Sequence, residues 1–391
     1  MTVAHVDFSS APAVPQLQVR PVRTLVVFMP GMAVAEAGEY QSKLFDGIKT
    51  FADNRSIDFI PGTDEQPSRV RHLKLEEGPH RVEVGIVEAY WSDLRPRLSA
   101  ETGVAKLIGG FSLLAYWLSS PRVWRRSFSS KFLLLNAVAT VALVLAWYYG
   151  ALATLLSAAG ADPTAFASVG LADWAPKLEG WGQKMGGWRV WIAVSAITLL
   201  FPTLTVVDVT YASMAYLRNR DGFATKVKTR VEKVLYGALE RDVDRVVIVA
   251  HSFAVAIAAE LVAELGTKPK PRLSLVTLGG SLGLLRARSP RLERGYQRVI
   301  GGGLLASWVD FWSDQDWLGT PAIASLASSA NTTFSSRQLD VTVSLKNKVS
   351  GASHGLYFTE PAVYEMLLAE CGWQSAEAEA ERAAEGARPE T

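Results

Sequence analysis

Arg245 to Leu265 reads RVVIVAHSFAVAIAAELVAEL. The first six residues, through Ala250, form a β-branched apolar run of strand length with no polar interruption, the pattern of a strand buried on both faces. From Ala254 the chain changes to alanine, leucine and glutamate, which predicts a buried helix to Leu265. Only His251-Ser252-Phe253 lie between, so the chain must turn sharply with Ser252 at the apex. Small residues two places before and after such a serine let the strand and helix backbones approach; both positions are alanine here, Ala250 and Ala254. At that apex the Ser252 hydroxyl stands at the top of a sheet. The N–H of Phe253, at the helix start, is available to a developing oxyanion.

Outward from this unit, short β-rich runs alternate with helical patterns. Thr24 to Met29 (TLVVFM) predicts a strand ending in the turn Pro30-Gly31-Met32, and Arg81 to Trp91 predicts another. Phe223 to Leu239 places Val227, Val231, Val234, Leu235 and Ala238 at helical spacing. Leu273 to Leu278, Trp308 to Trp312 and Leu339 to Leu345 predict further strands, and Thr359 to Trp373 a terminal helix with Pro361 in its first turn. The alternation predicts an α/β fold with a mostly parallel sheet flanked by helices.

A serine hydroxyl is a weak nucleophile unless a base takes its proton. Of the five histidines, His5 lies in the N-terminal tail, His72 and His80 precede the second strand, and His251 on the turn points away from its neighbour's side chain. His354, in a loop after the last strand, is the candidate base. The acid belongs between serine and histidine in the chain, after the strand Trp308 to Trp312. Asp316 is preferred, with Asp314 as the alternative; Asp310 lies within the strand. A carboxylate there would orient the imidazole and stabilise the imidazolium. Met32, in the turn after the first strand, is the candidate second oxyanion donor. Ser252 alone reads equally well as a helix cap; the order Ser, Asp, His at strand ends favours chemistry.

The segments VVIVAHSFA, WVDFWSDQDWLG and SHGLYFTEPAVYEML resemble the nucleophile elbow, acid loop and histidine loop of the α/β-hydrolase superfamily of serine hydrolases. The histidine segment, with Tyr357 three residues on, is similar to that of bacterial and fungal lipase-like members. The likeness covers roughly residues 24–95 and 222–373. It departs at Ala250 and Ala254, where glycine is usual, and in an oxyanion turn without a His-Gly pair. It implies an α/β-hydrolase fold and a serine esterase or lipase-like activity.

The likeness does not reach the apolar middle of the chain. Phe132 to Ala159 runs 28 residues without a charge, where about 20 suffice to cross a bilayer. Val190 to Val207 is a second uncharged stretch, interrupted by Pro202 and followed by Asp208. Trp174, Trp181 and Trp188 lie between the two, as expected of residues at a membrane interface. This predicts a two-helix transmembrane insertion with spans at about 132–159 and 188–210, and an interfacial segment at 107–118. Arg122, Arg125, Arg126 and Lys131 precede the first span, and Arg218, Arg220, Lys226, Lys228 and Arg230 follow the second. By the positive-inside bias the flanking catalytic domain would face the cytoplasm.

The expected layout is an N-terminal tail (1–23), the first part of the α/β domain (24–100), the membrane insertion (101–221), the second part of the domain (222–373) and a flexible acidic tail (374–391). Residues 1–23 lack the apolar centre of a signal peptide. Forty basic against 38 acidic residues leave a net charge of +2, without the basic stripe of a nucleic-acid binder, so nucleic acid is not an expected partner. Cys371, the single cysteine, cannot form an intramolecular disulfide. No Gly-x-x-x-x-Gly-Lys loop or His-Glu-x-x-His pair occurs, and Gly279 to Gly283 lacks dinucleotide-loop spacing; neither metal nor cofactor is expected. The expectation is a membrane-anchored hydrolase of ester or related acyl bonds, with acyl esters or lipids as substrates and the bilayer as partner. The rivals are an inactive scaffold on the same fold and a soluble esterase whose apolar segments form a lid.

Overall fold

The computed structural model describes residues 20–33, 35–65, 69–161, 201–266, 272–323 and 333–373, with short pieces between 174 and 197. The tails, Trp188 and much of the segment between the two apolar runs lie outside the described residues. Along the chain come β1 (Val22–Met29), α1 (Glu39–Arg55), β2 (Asp58–Pro61), β3 (Arg71–Glu77) and β4 (His80–Glu88). The apolar region contributes α2 (Gly103–Leu118), α3 (Pro121–Ser127), α4 (Lys131–Ala161) and α5 (Thr203–Leu217). Then follow α6 (Phe223–Leu239), β5 (Arg245–His251), α7 (Ala254–Glu264), β6 (Arg272–Leu278), α8 (Leu282–Arg288), α9 (Pro290–Gly301), β7 (Ser307–Trp312), β8 (Thr333–Gln338), α10 (Leu345–Val349) and α11 (Pro361–Glu370).

The strands form one eight-stranded sheet in the order β2-β3-β4-β1-β5-β6-β7-β8. All neighbours from β4 to β8 are parallel, and β2 and β3 are added antiparallel at one edge. Helices cover both faces, which is why the central strands read as unbroken apolar runs. Leu25, Val27, Val246 and Ile248 point to one face, against Val227 and Val231 of α6 and Ile257 and Leu261 of α7. Val26, Phe28, Val247 and Val249 point to the other, against Leu44 and Ile48 of α1 and Leu367 and Leu368 of α11. The period-2 alternation of strand side chains thus divides the core into two layers. From β1 the chain runs out to β2 at the sheet edge, comes back through β3 to β4 beside β1, crosses to β5 on the opposite side of β1, and continues to β8. The β1/β5 boundary is therefore the switch point of the sheet, where a crevice opens beyond the strands' C-terminal ends. Ser252 follows β5 at that boundary.

Two elements differ from the sequence reading. The last strand is not Leu339 to Leu345 but Thr333–Gln338, pairing with β7 from Ser307↔Thr333 to Trp312↔Gln338. Because β7 ends at Trp312, nothing remains for Leu339 onward to pair with beyond its N–H to the Trp312 carbonyl. Ser344 instead caps α10 by accepting from the Asn347 N–H. The segment at 107–118 lies within α2, which is two-faced: Leu113 and Leu114 are buried, while Val104, Ile108 and Phe111 are exposed.

Within the apolar region, Leu133–Leu156 of α4 is long and apolar enough to cross a membrane, with mean hydropathy 1.8 and only 17% of its most apolar window buried. It is the one such helix among the described residues. The second apolar run is not one straight helix, because Pro202 breaks it and α5 starts anew at Thr203. From Val206 onward α5 is packed against the α/β body, and Asp208 is buried and accepts from the Ser99 N–H (2.9 Å) and Oγ (2.6 Å). Residues 192–197, ahead of the break, are helical and largely exposed. A side chain at Gly150 of α4 would come within 3.2 Å of Val194, so this piece lies alongside α4.

Candidate active site

The turn after β5 holds Ser252 at φ 59°, in the left-handed region that residues with a Cβ rarely adopt. The constraint comes from both sides: the Ser252 N–H is bonded to the Leu278 carbonyl (2.9 Å), and its carbonyl accepts from the Val255 N–H of α7 (3.2 Å). Ala250 and Ala254 are completely buried, as small residues beside a tight strand-to-helix turn must be. Phe253 is buried against Trp91 and Tyr216, with ring centroids 6.4 and 5.2 Å away. Its N–H belongs to the first turn of α7, where backbone donors have no intrahelical acceptor.

The turn after β1 closes over this apex. A Cβ at Gly31 would lie 2.7 Å from Ser252 Cβ and 3.3 Å from its Oγ, so only glycine lets the two turns meet. Met32 follows, its carbonyl bonded by the buried Arg95 guanidinium and its sulfur 3.8 Å from Ser213 Oγ of α5. Trp91 Nε1 donates to the Pro30 carbonyl (2.9 Å). The β1 turn is thus held from three directions.

His354 and Asp316 come together from loops 38 residues apart. His354 Nδ1 lies 2.8 Å from Asp316 Oδ2. Asp316 is completely buried and also accepts from Tyr357 Oη (2.8 Å) and the Leu318 N–H (3.0 Å). Burial by itself raises its pKa, but the neighbouring His354 and these hydrogen bonds outweigh that, and the net shift is below the ordinary carboxylate value. Asp316 is therefore a pure acceptor, Nδ1 carries the ring proton, and Nε2 is left as the nitrogen that can take another. Tyr357 is pushed well above the usual phenol range by burial and by the Asp316 charge, so it remains a donor. Gly279, at φ 54°, passes so close that a Cβ there would lie 2.9 Å from Asp316 Oδ2. Asp314 is exposed and accepts from the Gln315 side chain; it does not meet His354.

His251 lines the same cavity as Ser252 and has a partner of its own. Its ring lies against that of His354, tilted by 39° at a centroid separation of 4.7 Å, and its Nε2–H donates to the His354 carbonyl (3.1 Å). Its Nδ1 is buried without a hydrogen-bond partner. Burial, followed by the proximity of His354, lowers its pKa to about 3, so it is a neutral brace beneath the other imidazole. Asp310, inside β7, accepts from Thr277 Oγ1 and the N–H groups of Ala322 and Ile323. Burial raises it to about 6, and its bonds pin the far end of the acid loop. Asn136 of α4 pins the near end by donating to the Trp317 carbonyl.

Ser252, Phe253, Gly31, Met32 and His354 all line one cavity of about 1,040 Å³, at the upper end of the range for small-molecule sites. Among the described residues no cluster of His, Cys, Asp and Glu could hold a metal. Cys371 is buried and its thiol pushed up by burial. Chemically, the arrangement combines a hydroxyl on a strained apex, an imidazole oriented by a buried carboxylate, and backbone N–H groups at a helix start. Tyr357, His251 and Asn136 gave no signal of these contacts in the sequence, apart from the resemblance around Tyr357. Comparison with known protein families, curated proteins and solved structures returned no match.

Proposed function

We propose that the protein is a membrane-anchored serine hydrolase that cleaves ester or related acyl bonds, with lipids as its substrates. The observation that carries this reading is that His354, paired with the buried Asp316 (2.8 Å), lines the same cavity as Ser252 at φ 59°. In the reaction Ser252 Oγ attacks the acyl carbon while its proton passes to His354 Nε2, and the imidazolium that forms is stabilised by Asp316. The carbonyl oxygen, now an anion, accepts from the N–H groups of Phe253 and Met32. Collapse expels the alcohol, which takes the proton from His354. Water then repeats the sequence on the acyl-enzyme, with His354 as base and then acid.

Anchoring is supported by α4 and by the course of the chain around it. The first half of α4 lies against the acid loop and the cavity, through Asn136, Val141 and Leu143, and the chain is packed on the α/β body again by Val206, so a helix that crosses a bilayer with its remaining length must be followed by a return. The piece at 192–197 beside α4 belongs to that return, giving a hairpin of two passes. The basic residues before α4 and after α5 then set the hydrolase domain on the cytoplasmic side.

The test is turnover of p-nitrophenyl esters by detergent-solubilised protein. Wild type is expected to hydrolyse them, and Ser252→Ala to lose at least about a thousandfold in kcat with an unchanged melting temperature. Equal rates in the two proteins would refute the reading.

A further inference from the structure

The cavity is not uniform. Its charged lining groups, Lys43, Asp46 and Arg55, all belong to α1, which packs on one face of the sheet. The arm toward α5, on the opposite face, is walled by Ala137, Thr140 and Val141 of α4 and by Val206, Val209 and Thr210 of α5, without a charged side chain. Two α5 hydroxyls on the cavity are satisfied locally: Thr210 Oγ1 donates to the Val206 carbonyl (2.5 Å) and Ser213 Oγ to the Val209 carbonyl (2.7 Å). Both are turned back on their own helix, leaving carbon toward the space.

The arm also has an end. Trp117, Thr140, Val141 and Thr210 line both the main cavity and a void of about 20 Å³ behind it, which Leu113, Leu114 and Val144 close. Ala137, Thr140, Val141 and Val144 lie three and four residues apart, so they form one stripe of α4. The other side of the helix carries Leu135, Val138 and Leu145, exposed at 56, 48 and 45%. One helix therefore presents one apolar face outward and another to the space beside Ser252.

We propose that the arm between α2, α4 and α5 is an acyl-chain site, and that the inner face of the helix able to cross a bilayer is the wall that measures the chain. The inference rests on the hydrolase reading. An acyl group bonded at Ser252 extends along Ala137 and Val141 to stop at Trp117, and the alcohol portion of the ester faces the charged α1 end. No charge lies along the chain's path, so the ligand is an unsubstituted aliphatic acyl group.

The experiment is a series of p-nitrophenyl esters from acetate to palmitate, assayed with the full-length protein in detergent. Each methylene accommodated is expected to raise kcat/KM by about fourfold until the arm is full. Val141→Trp, which fills the arm, moves the optimum to shorter chains and lowers the ratio of dodecanoate to butyrate turnover by roughly tenfold or more. Trp117→Ala, which opens its end, moves the optimum to longer chains. Ser252-dependent turnover that is flat with chain length in the wild-type protein overturns the acyl site alone, whatever the variants do. An optimum that both variants leave in place also overturns it. Absence of Ser252-dependent turnover of any ester overturns the hydrolase reading and this one with it.

Discussion

At the apex of the β5–α7 turn, Ser252 is held in a backbone conformation worth roughly 1–3 kcal/mol of strain, and the groups around it explain why the strain persists. Asp316 holds the tautomer of His354, so Asp316→Asn is expected to lower kcat by about three to four orders of magnitude on any ester turned over; a loss under tenfold would remove Asp316 from the site. His251 has a separate signature. Its folded pKa of about 3 lies below the ordinary 6.5, so between those values the unfolded chain binds a proton that the folded protein does not. Stability therefore falls as the pH falls through this window, by as much as a few kcal/mol. Asp310, raised to about 6 from 3.8, acts in the opposite sense below pH 6. His251→Gln keeps a donor and removes the titration, so denaturant melts from pH 6.5 to 4 should show a flatter acid limb than wild type; an identical limb would contradict the buried neutral brace. The Asp316–His354 pairing was legible in the sequence, and Ser252 could be chosen as a candidate, because strand-end order and the number of histidines restrict the choices. The His251 contact with His354 and the Tyr357 and Leu318 bonds to Asp316 were not, since they depend on how separate loops meet.

Among the elements, those with unbroken apolar runs were legible, and those whose apolar side is thinner were not. β1, β5, β6, β7, α6 and α7 are buried on the faces that their spacing predicts. The helix α1, with charged residues throughout EYQSKLFDGIKTFADNR, and β3, RHLKLEE, carry too many polar side chains for such a reading. They pack because Tyr40, Leu44, Phe45, Ile48, Phe51 and Ala52 of α1 and Leu73 and Leu75 of β3 face the core. At β8 the polar TFSSRQ pairs only with β7, at the sheet edge, while the more strand-like LDVTVSL has no neighbour to pair with. Length and lack of charge were enough to mark α4, but the break at Pro202 and the burial of Asp208 depend on partners in the α/β body. The outward stripe of α4 gives an element-level prediction. Arginine at the middle of a membrane helix costs about 2.5–3.5 kcal/mol of insertion free energy, so Leu145→Arg should sharply reduce the fraction of protein retained in carbonate-washed membranes. An exposed position on a soluble lid would tolerate the change within about 0.5 kcal/mol, and unchanged membrane retention would argue against a bilayer contact there.

For the molecule as a whole, the apolar middle of the chain and the α/β body are one structure rather than an enzyme with an attached anchor. Asn136 of α4 ties the acid loop through the Trp317 carbonyl. Ser213 of α5 meets Met32 in the β1 turn. Asp208 is bonded to Ser99, in the segment that also supplies Arg95 to the Met32 carbonyl. The crevice at the β1/β5 switch point is what the topology supplies, and the α4–α5 wall turns it into a cavity. The claim on which the rest depends is that Ser252 is a nucleophile. Its most direct measurement is reaction of the purified, detergent-solubilised protein with a fluorophosphonate, followed by intact mass and peptide mapping. The expected result is a single adduct on Ser252 that is absent from the folded Ser252→Ala variant. A folded wild-type protein without an adduct at Ser252, or undiminished labelling of Ser252→Ala, would contradict the account.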